Sequence, residues 1–246
     1  LAGLLLEFGG LGLALVSQAL IYLLAVPLFE RTGQRIPGPV RNEPQQGHFF
    51  HALQEVVIYL RREQPPLLAL AVLSLVVVSI LTSFEKLLPV FTQDVLAAGP
   101  STLGWMASLL HLGISLVGLV IVGWGQVWFR GSVVLISSAM FGAGLAMFAL
   151  VRQLELAVVW SLLLGLIIGI YLTLTNVLFE SRPHDEVRGR VQSMWGMVWG
   201  LAPFVSLAAG VAADQWGVTV AIASGGLICT GFCAWMMFNG SDLRNL

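Results

Sequence analysis

Between Gly165 and Gly200 the chain reads GLIIGIYLTLTNVLFESRPHDEVRGRVQSMWGMVWG. Two apolar, glycine-spaced segments flank a short loop holding Arg182, Arg188 and Arg190, with Asp185 and Glu186 among them. A helix needs about 20 apolar residues to cross ~30 Å of hydrocarbon, and both flanks extend far enough to do so. The loop between them is too charged to cross, and its arginines mark its side of the membrane as cytoplasmic. A lone segment in lipid must satisfy its own backbone N–H and C=O groups, so the flanks are helices.

The rest of the chain repeats this pattern. Leu11–Phe29 is a full span without a charge, and further spans are expected at Leu67–Phe84, Thr102–Trp128, Ser132–Val151, Leu156–Phe179, Arg190–Ala212 and Gly217–Phe238. Leu1–Phe8 is too short to cross and reads as the tail of another helix, so the expectation is a chain whose N-terminal part lies upstream. Residues 30–66 break the pattern with Arg31, Arg35, Arg41, Arg61, Arg62 and several prolines. Within them Phe49, Leu53, Val56, Val57 and Leu60 share one helical face, which predicts an amphipathic helix on the membrane surface or against the ends of the spans. A calmodulin-type target helix is the other reading of that stripe. Pro89 and Pro203 either kink their helices or, at Pro89, end one.

Orientation follows from Lys and Arg. With the 30–66 loop inside, ten of these residues fall on the cytoplasmic side and two, Lys86 and Arg152, fall outside. That asymmetry places the C-terminus in the cytoplasm.

Composition excludes most other classes. The chain is 57% hydrophobic and 10% charged, against roughly 25% charged in soluble domains. The few basic residues sit in short loops, so nucleic acid is not an expected partner. Cys229 and Cys233 lie in an apolar run without a His or further Cys nearby, and read as small packing side chains rather than a disulfide or metal site. No catalytic spacing, phosphate-cradling loop or metal set is present in the sequence, so neither an enzyme nor a cofactor is expected.

Polar side chains inside spans are costly and tend to face protein or a water-filled cavity. His111 is the one ionisable side chain well inside a predicted span. It reads either as a neutral imidazole bonded to a neighbouring helix or as part of a substrate or proton pathway. Thr173, Thr175 and Asn176, grouped in one span, and Gln18 carry the same two readings. Glu85 and Lys86, expected near the outer end of their span, are either an outer gate or a solvated helix end. Glu180, Asp185, Glu186, Arg188 and Arg190 are either an ion-pair latch at a cytoplasmic gate, with the arginines starting the following helix, or anchors that obey the charge rule. The pairs Gly165/Gly169 and Gly196/Gly200 are G-x-x-x-G spacings that let helix backbones approach.

Gly165–Ser181 and Asp185–Arg190 (DEVRGR) resemble the tenth and eleventh helices of the major facilitator superfamily, in its enterobactin-exporter and macrolide-efflux-like branch. Ala209–Gly217 (AGVAADQWG) resembles the turn that follows. Leu88–Val95 (LPVFTQDV), with Leu103–Gly104 after it, resembles the connection between the seventh and eighth helices. Gly123–Gly131 (GWGQVWFRG) departs from the superfamily's loop motif, lacking its Asp and most of its basic residues.

The resemblance implies an all-α polytopic membrane protein, seven transmembrane helices of a twelve-helix fold. Residues 1–29 would be the end of the N-terminal bundle, 30–66 the central cytoplasmic loop, and 67–246 the C-terminal six-helix bundle. It further implies a transporter of the cell membrane that exports a small amphipathic molecule, drug- or siderophore-like, by alternating access. The driving force would be a proton or other ion gradient, and the solute site would lie at midplane between two halves. An uptake permease or lipid flippase of the same fold, and a non-transporting scaffold or sensor, are the alternatives. The expected partners are the bilayer, the substrate, the coupling ion and the upstream helices of the same protein.

Overall fold

The computed structural model describes residues 15–27, 65–124, 131–181 and 185–239, together with Gly12, Ile58 and Arg61. At residues 122, 124, 185–188 and 190 the description is of backbone only. Seven helices of more than ten residues stand among the described residues: α1 (Leu15–Pro27), α2 (Pro65–Asp94), α3 (Pro100–Trp124), α4 (Gly131–Phe148), α5 (Leu154–Ser181), α6 (Asp185–Trp216) and α7 (Val218–Asn239). The last six are each long and apolar enough to cross a membrane. The predicted tail at Leu1–Phe8, the amphipathic stripe from Phe49 to Leu60, and most of the loop around it lie outside the described residues.

Local chemistry explains the boundaries. Pro65 and Pro100 open α2 and α3, where a fixed φ is pre-set for a helix and the missing N–H would have had no partner. Gly217 alone joins α6 to α7. Its φ of +88° favours a residue without Cβ. Its N–H closes on the Ala213 carbonyl at 2.9 Å while its own carbonyl receives the Ala221 N–H at 3.1 Å, ending one helix and starting the next. Two expectations change here. Pro89 ends nothing, since α2 continues to Asp94, and Pro203 likewise lies inside α6. Helix α6 starts at Asp185 rather than at the arginines. Carboxylates at Asp185 and Glu186 suit the positive end of its dipole.

The tightest helix pairings are α3 with α5, α4 with α7 and α2 with α6. Exchanging the triplet α2–α3–α4 for α5–α6–α7 turns the α2–α6 pairing into α5–α3 and maps α4–α7 onto itself. The directions fit an inverted repeat. Gly165 meets Leu110 and Gly169 meets Ile114, so α3 and α5 run parallel. Glu85 meets His111 and Thr92 meets Met106, so α2 runs antiparallel to both.

Lipid is as apolar as leucine, so close packing rather than exclusion from water holds such helices together. Small residues permit it. A Cβ on Gly113 would lie 2.7 Å from the Leu162 carbonyl oxygen, and one on Gly142 would lie 2.7 Å from the Gly226 carbonyl oxygen. The G-x-x-x-G at Gly165/Gly169 packs on α3, not on its sequence neighbour α6. The identical spacing at Gly196/Gly200 has nothing within 4 Å among the described residues, so no described helix makes the close approach expected there. Cys229 and Cys233 are buried on α7 as small core side chains.

Candidate functional site

Most hydroxyls within the spans are satisfied by their own helix. Ser74 donates to Leu70 O, Ser83 to Ser79 O, Thr92 to Leu88 O and Ser161 to Ala157 O, all at 2.7–2.9 Å. Such back-bonding removes the cost of a hydroxyl in lipid without any tertiary partner. The groups that escape this pattern are the informative ones.

The first is a pair. His111 Nε2 lies 3.4 Å from Glu85 Oε1, joining α3 to α2, with the two side chains 64% and 36% exposed. His111 is central in the apolar span Pro100–Ile121, so Glu85 lies at the same depth. Glu85 is therefore not at a helix end, as a span closing at Phe84 had implied, because α2 runs nine residues beyond it. Lys86 is exposed beside it. Adjacent residues on a helix do not face each other, so Lys86 and Glu85 point apart.

The imidazole is oriented by its other nitrogen, since Nδ1 lies 2.8 Å from the Ala107 carbonyl oxygen one turn back. A carbonyl can only accept, so Nδ1 carries hydrogen. Ser115 donates to the His111 carbonyl at 2.9 Å, and Ser108, like Ser115, is exposed a turn away on α3.

The second feature is a set of buried hydroxyls. Tyr171 and Thr175 of α5 and Ser79 of α2 have side-chain oxygens without a hydrogen-bond partner among the described residues. Ser74 and Thr175 flank the Tyr171 hydroxyl without completing a bond to it. Ser79 lines a cavity of about 570 Å³ between α2, α6 and α7, with Phe84, Ala209, Ala212, Ile222 and Gly225 among its other walls.

The predicted Thr173, Thr175 and Asn176 group is not one site. Thr173 is half-buried beside Gly118 of α3, Thr175 is fully buried, and Asn176 donates back to the Leu172 carbonyl at 2.9 Å. Thr173 and Asn176, three positions apart, share a side of the helix, whereas Thr175, two positions from one and one from the other, is turned away from it into the protein. Gln18 is exposed on α1, away from these residues in sequence and element. Glu180 is exposed at the end of α5, and Asp185, Glu186, Arg188 and Arg190 lie on the first turns of α6, their side chains outside the described residues.

Sequence reasoning named Glu85 and His111 for separate roles and missed their meeting. The available signal was that α2 has one carboxylate deep in its apolar stretch and α3 has one ionisable residue in all. Ser79, Tyr171 and the cavity carried no comparable signal.

Six membrane-length helices, close glycine packing and an inverted pair of three-helix units define a polytopic membrane protein. The Major Facilitator Superfamily model matches residues 1–206, and the chain belongs to that superfamily. Among curated proteins no match was found. The chain is thus a membrane transporter of that superfamily, with the lipid bilayer and a small-molecule substrate as its partners.

Proposed function

We propose that the protein is an exporter of small amphipathic molecules, drug- or siderophore-like, of the enterobactin-exporter and macrolide-efflux-like branch, and that it exchanges its substrate for protons. In this reading residues 67–246 form one six-helix bundle of a cell-membrane transporter with a cytoplasmic C-terminus. Residues 1–29 belong to the other bundle, and 30–66 join the two on the cytoplasmic side. The two bundles rock about a midplane site. The charged residues Glu180, Asp185, Glu186, Arg188 and Arg190 form a latch that is closed in one state and open in the other.

The observation that carries this reading is the Glu85–His111 pair at mid-depth in a span. Ionisable side chains there are expensive, and in membrane proteins they serve substrate or ion pathways. The branch resemblance of Gly165–Arg190 supports export over import.

The test is transport by the intact protein in inside-out vesicles, with a panel of amphipathic dyes, macrolides and siderophores. Acidifying the vesicle lumen should drive uptake, and a protonophore should abolish it. Uptake only into right-side-out vesicles would replace export by import. Transport indifferent to the pH gradient would remove proton coupling.

A further inference from the structure

We infer that Glu85 and His111 form a single binding site for the coupling proton, shared between α2 and α3. The inference rests on the proton-coupled reading above only for the word coupling; the proton site itself stands on geometry. Because Nδ1 carries hydrogen toward the Ala107 carbonyl, Nε2 and Oε1 would meet as two lone pairs if no proton lay between them. Their 3.4 Å approach is attractive in two arrangements. These are imidazolium facing carboxylate, and neutral imidazole accepting from a carboxylic acid. Both contain one and the same proton and both leave the pair without net charge.

Release of that proton leaves a carboxylate opposite the imidazole lone pair, with one uncompensated negative charge at the depth where lipid penalises it most. The pair then opens. Binding reverses each step, the proton coming from solution and returning to it.

The position of the pair gives this exchange a mechanical consequence. Helix α2 is packed on α6 and α3 on α5, whereas α2 and α3 touch each other much less extensively. The pair is a polar tie between two well-packed units, so its closing and opening bias how those units sit. His111 is on a face of α3 that the other described helices leave uncovered, and Ser108 and Ser115, exposed a turn to either side, line that face with hydroxyls.

No other described charge substitutes for either partner. Lys86 acts on Glu85 from the same helix but points elsewhere. Asp94 ends α2, and α3 has no second ionisable residue among those described. Of the helices packed against these two, α5 has Glu155 and Glu180 near its two ends and Tyr171 in its interior. Helix α6 has Asp214 near Gly217, with Asp185, Glu186, Arg188 and Arg190 near its start. Helix α7 has Cys229 and Cys233 alone, and α4 has no such group.

The test uses the intact protein in micelles with nitrogen-15 histidine, the His111 signals being assigned by their loss in His111→Gln. The neutral ring should hold its hydrogen on Nδ1. The Nε2 resonance should shift in Glu85→Gln and return toward its wild-type value in Glu85→Asp. Hydrogen on Nε2 in the neutral ring, or an Nε2 resonance identical in wild type and E85Q, would overturn the site.

A second arm reconstitutes the protein in liposomes and follows proton flux accompanying ethidium. Loss of that flux in E85Q and H111Q, with melting unchanged and flux retained in E85D, supports the assignment. Wild-type flux that survives in both variants overturns it. Ethidium transport without proton flux in the wild type would remove proton coupling, while the ring-nitrogen result would still decide the site.

Discussion

Replacing Gly165 and Gly169 together by alanine adds two methyl groups to the α5 face that touches α3. The Gly169 methyl would lie 2.9 Å from Ile114 Cα, and the Gly165 methyl would press on the Leu110 backbone. Carbon atoms are comfortable at about 3.5–4.0 Å, so the two helices must separate by roughly 1 Å. The atoms met are backbone and cannot rotate away, which puts the cost toward the top of the roughly 1–3 kcal/mol range for overpacking at each site. Alanine returns about 1 kcal/mol of helix propensity, for a net loss of about 2 kcal/mol per site. Both methyls demand the same separation, so the double variant should lose less than the sum, about 3 kcal/mol. Thermal melting of the intact protein in detergent, followed by tryptophan fluorescence, should show a drop of several degrees. Gly196→Ala/Gly200→Ala and Gly231→Ala are the comparisons, because nothing among the described residues lies within 4 Å of a Cβ at those positions. They should melt at or slightly above wild type. A Gly165/Gly169 variant as stable as wild type would refute the close approach of α3 and α5, and with it the assignment of one motif to packing and the other to an open face.

Two further substitutions probe single features. Gly217→Ala meets no atom within 4 Å among the described residues, so its expected effect is the backbone cost of φ +88°. A loss of about 1–2 kcal/mol is expected, reduced in Gly217→Asn, and measured by the same melting; no loss would mean the turn is not left-handed. Thr175→Val removes a buried hydroxyl that has no hydrogen-bond partner among the described residues. Stability should be unchanged or raised by about 1 kcal/mol, whereas a clear loss would reveal a hydrogen bond at that oxygen.

Read residue by residue, the sequence located the six described spans of the bundle to within a few positions at most ends. A helix in lipid is specified by its own composition and length, because its backbone must be satisfied from within. The largest error, at α2, came from treating Glu85 and Pro89 as the end of a span. One half-buried carboxylate and one proline did not stop a helix that extends to Asp94. The turn at Gly217 was legible only through the resemblance of Ala209–Gly217, while the span expected at Gly217–Phe238 lies one residue from the helix observed.

Which faces meet was not legible. In water, the apolar stripe of a helix announces the side that packs, but here lipid-facing and protein-facing sides are equally apolar, and the pattern is silent. So Gly165/Gly169 and Gly196/Gly200 look alike in sequence, yet the first pair meets α3 and the second meets nothing described. Glu85 and His111 stand 26 positions apart with a turn between them, and no periodicity sets their register. The antiparallel packing of α2 on α3 brings them to 3.4 Å. Sequence alone determined that the chain crosses a membrane as helices and where its charges gather, because those properties belong to single segments. The tertiary structure decided which glycines close an interface and which two ionisable groups share a site, because those properties exist only between segments.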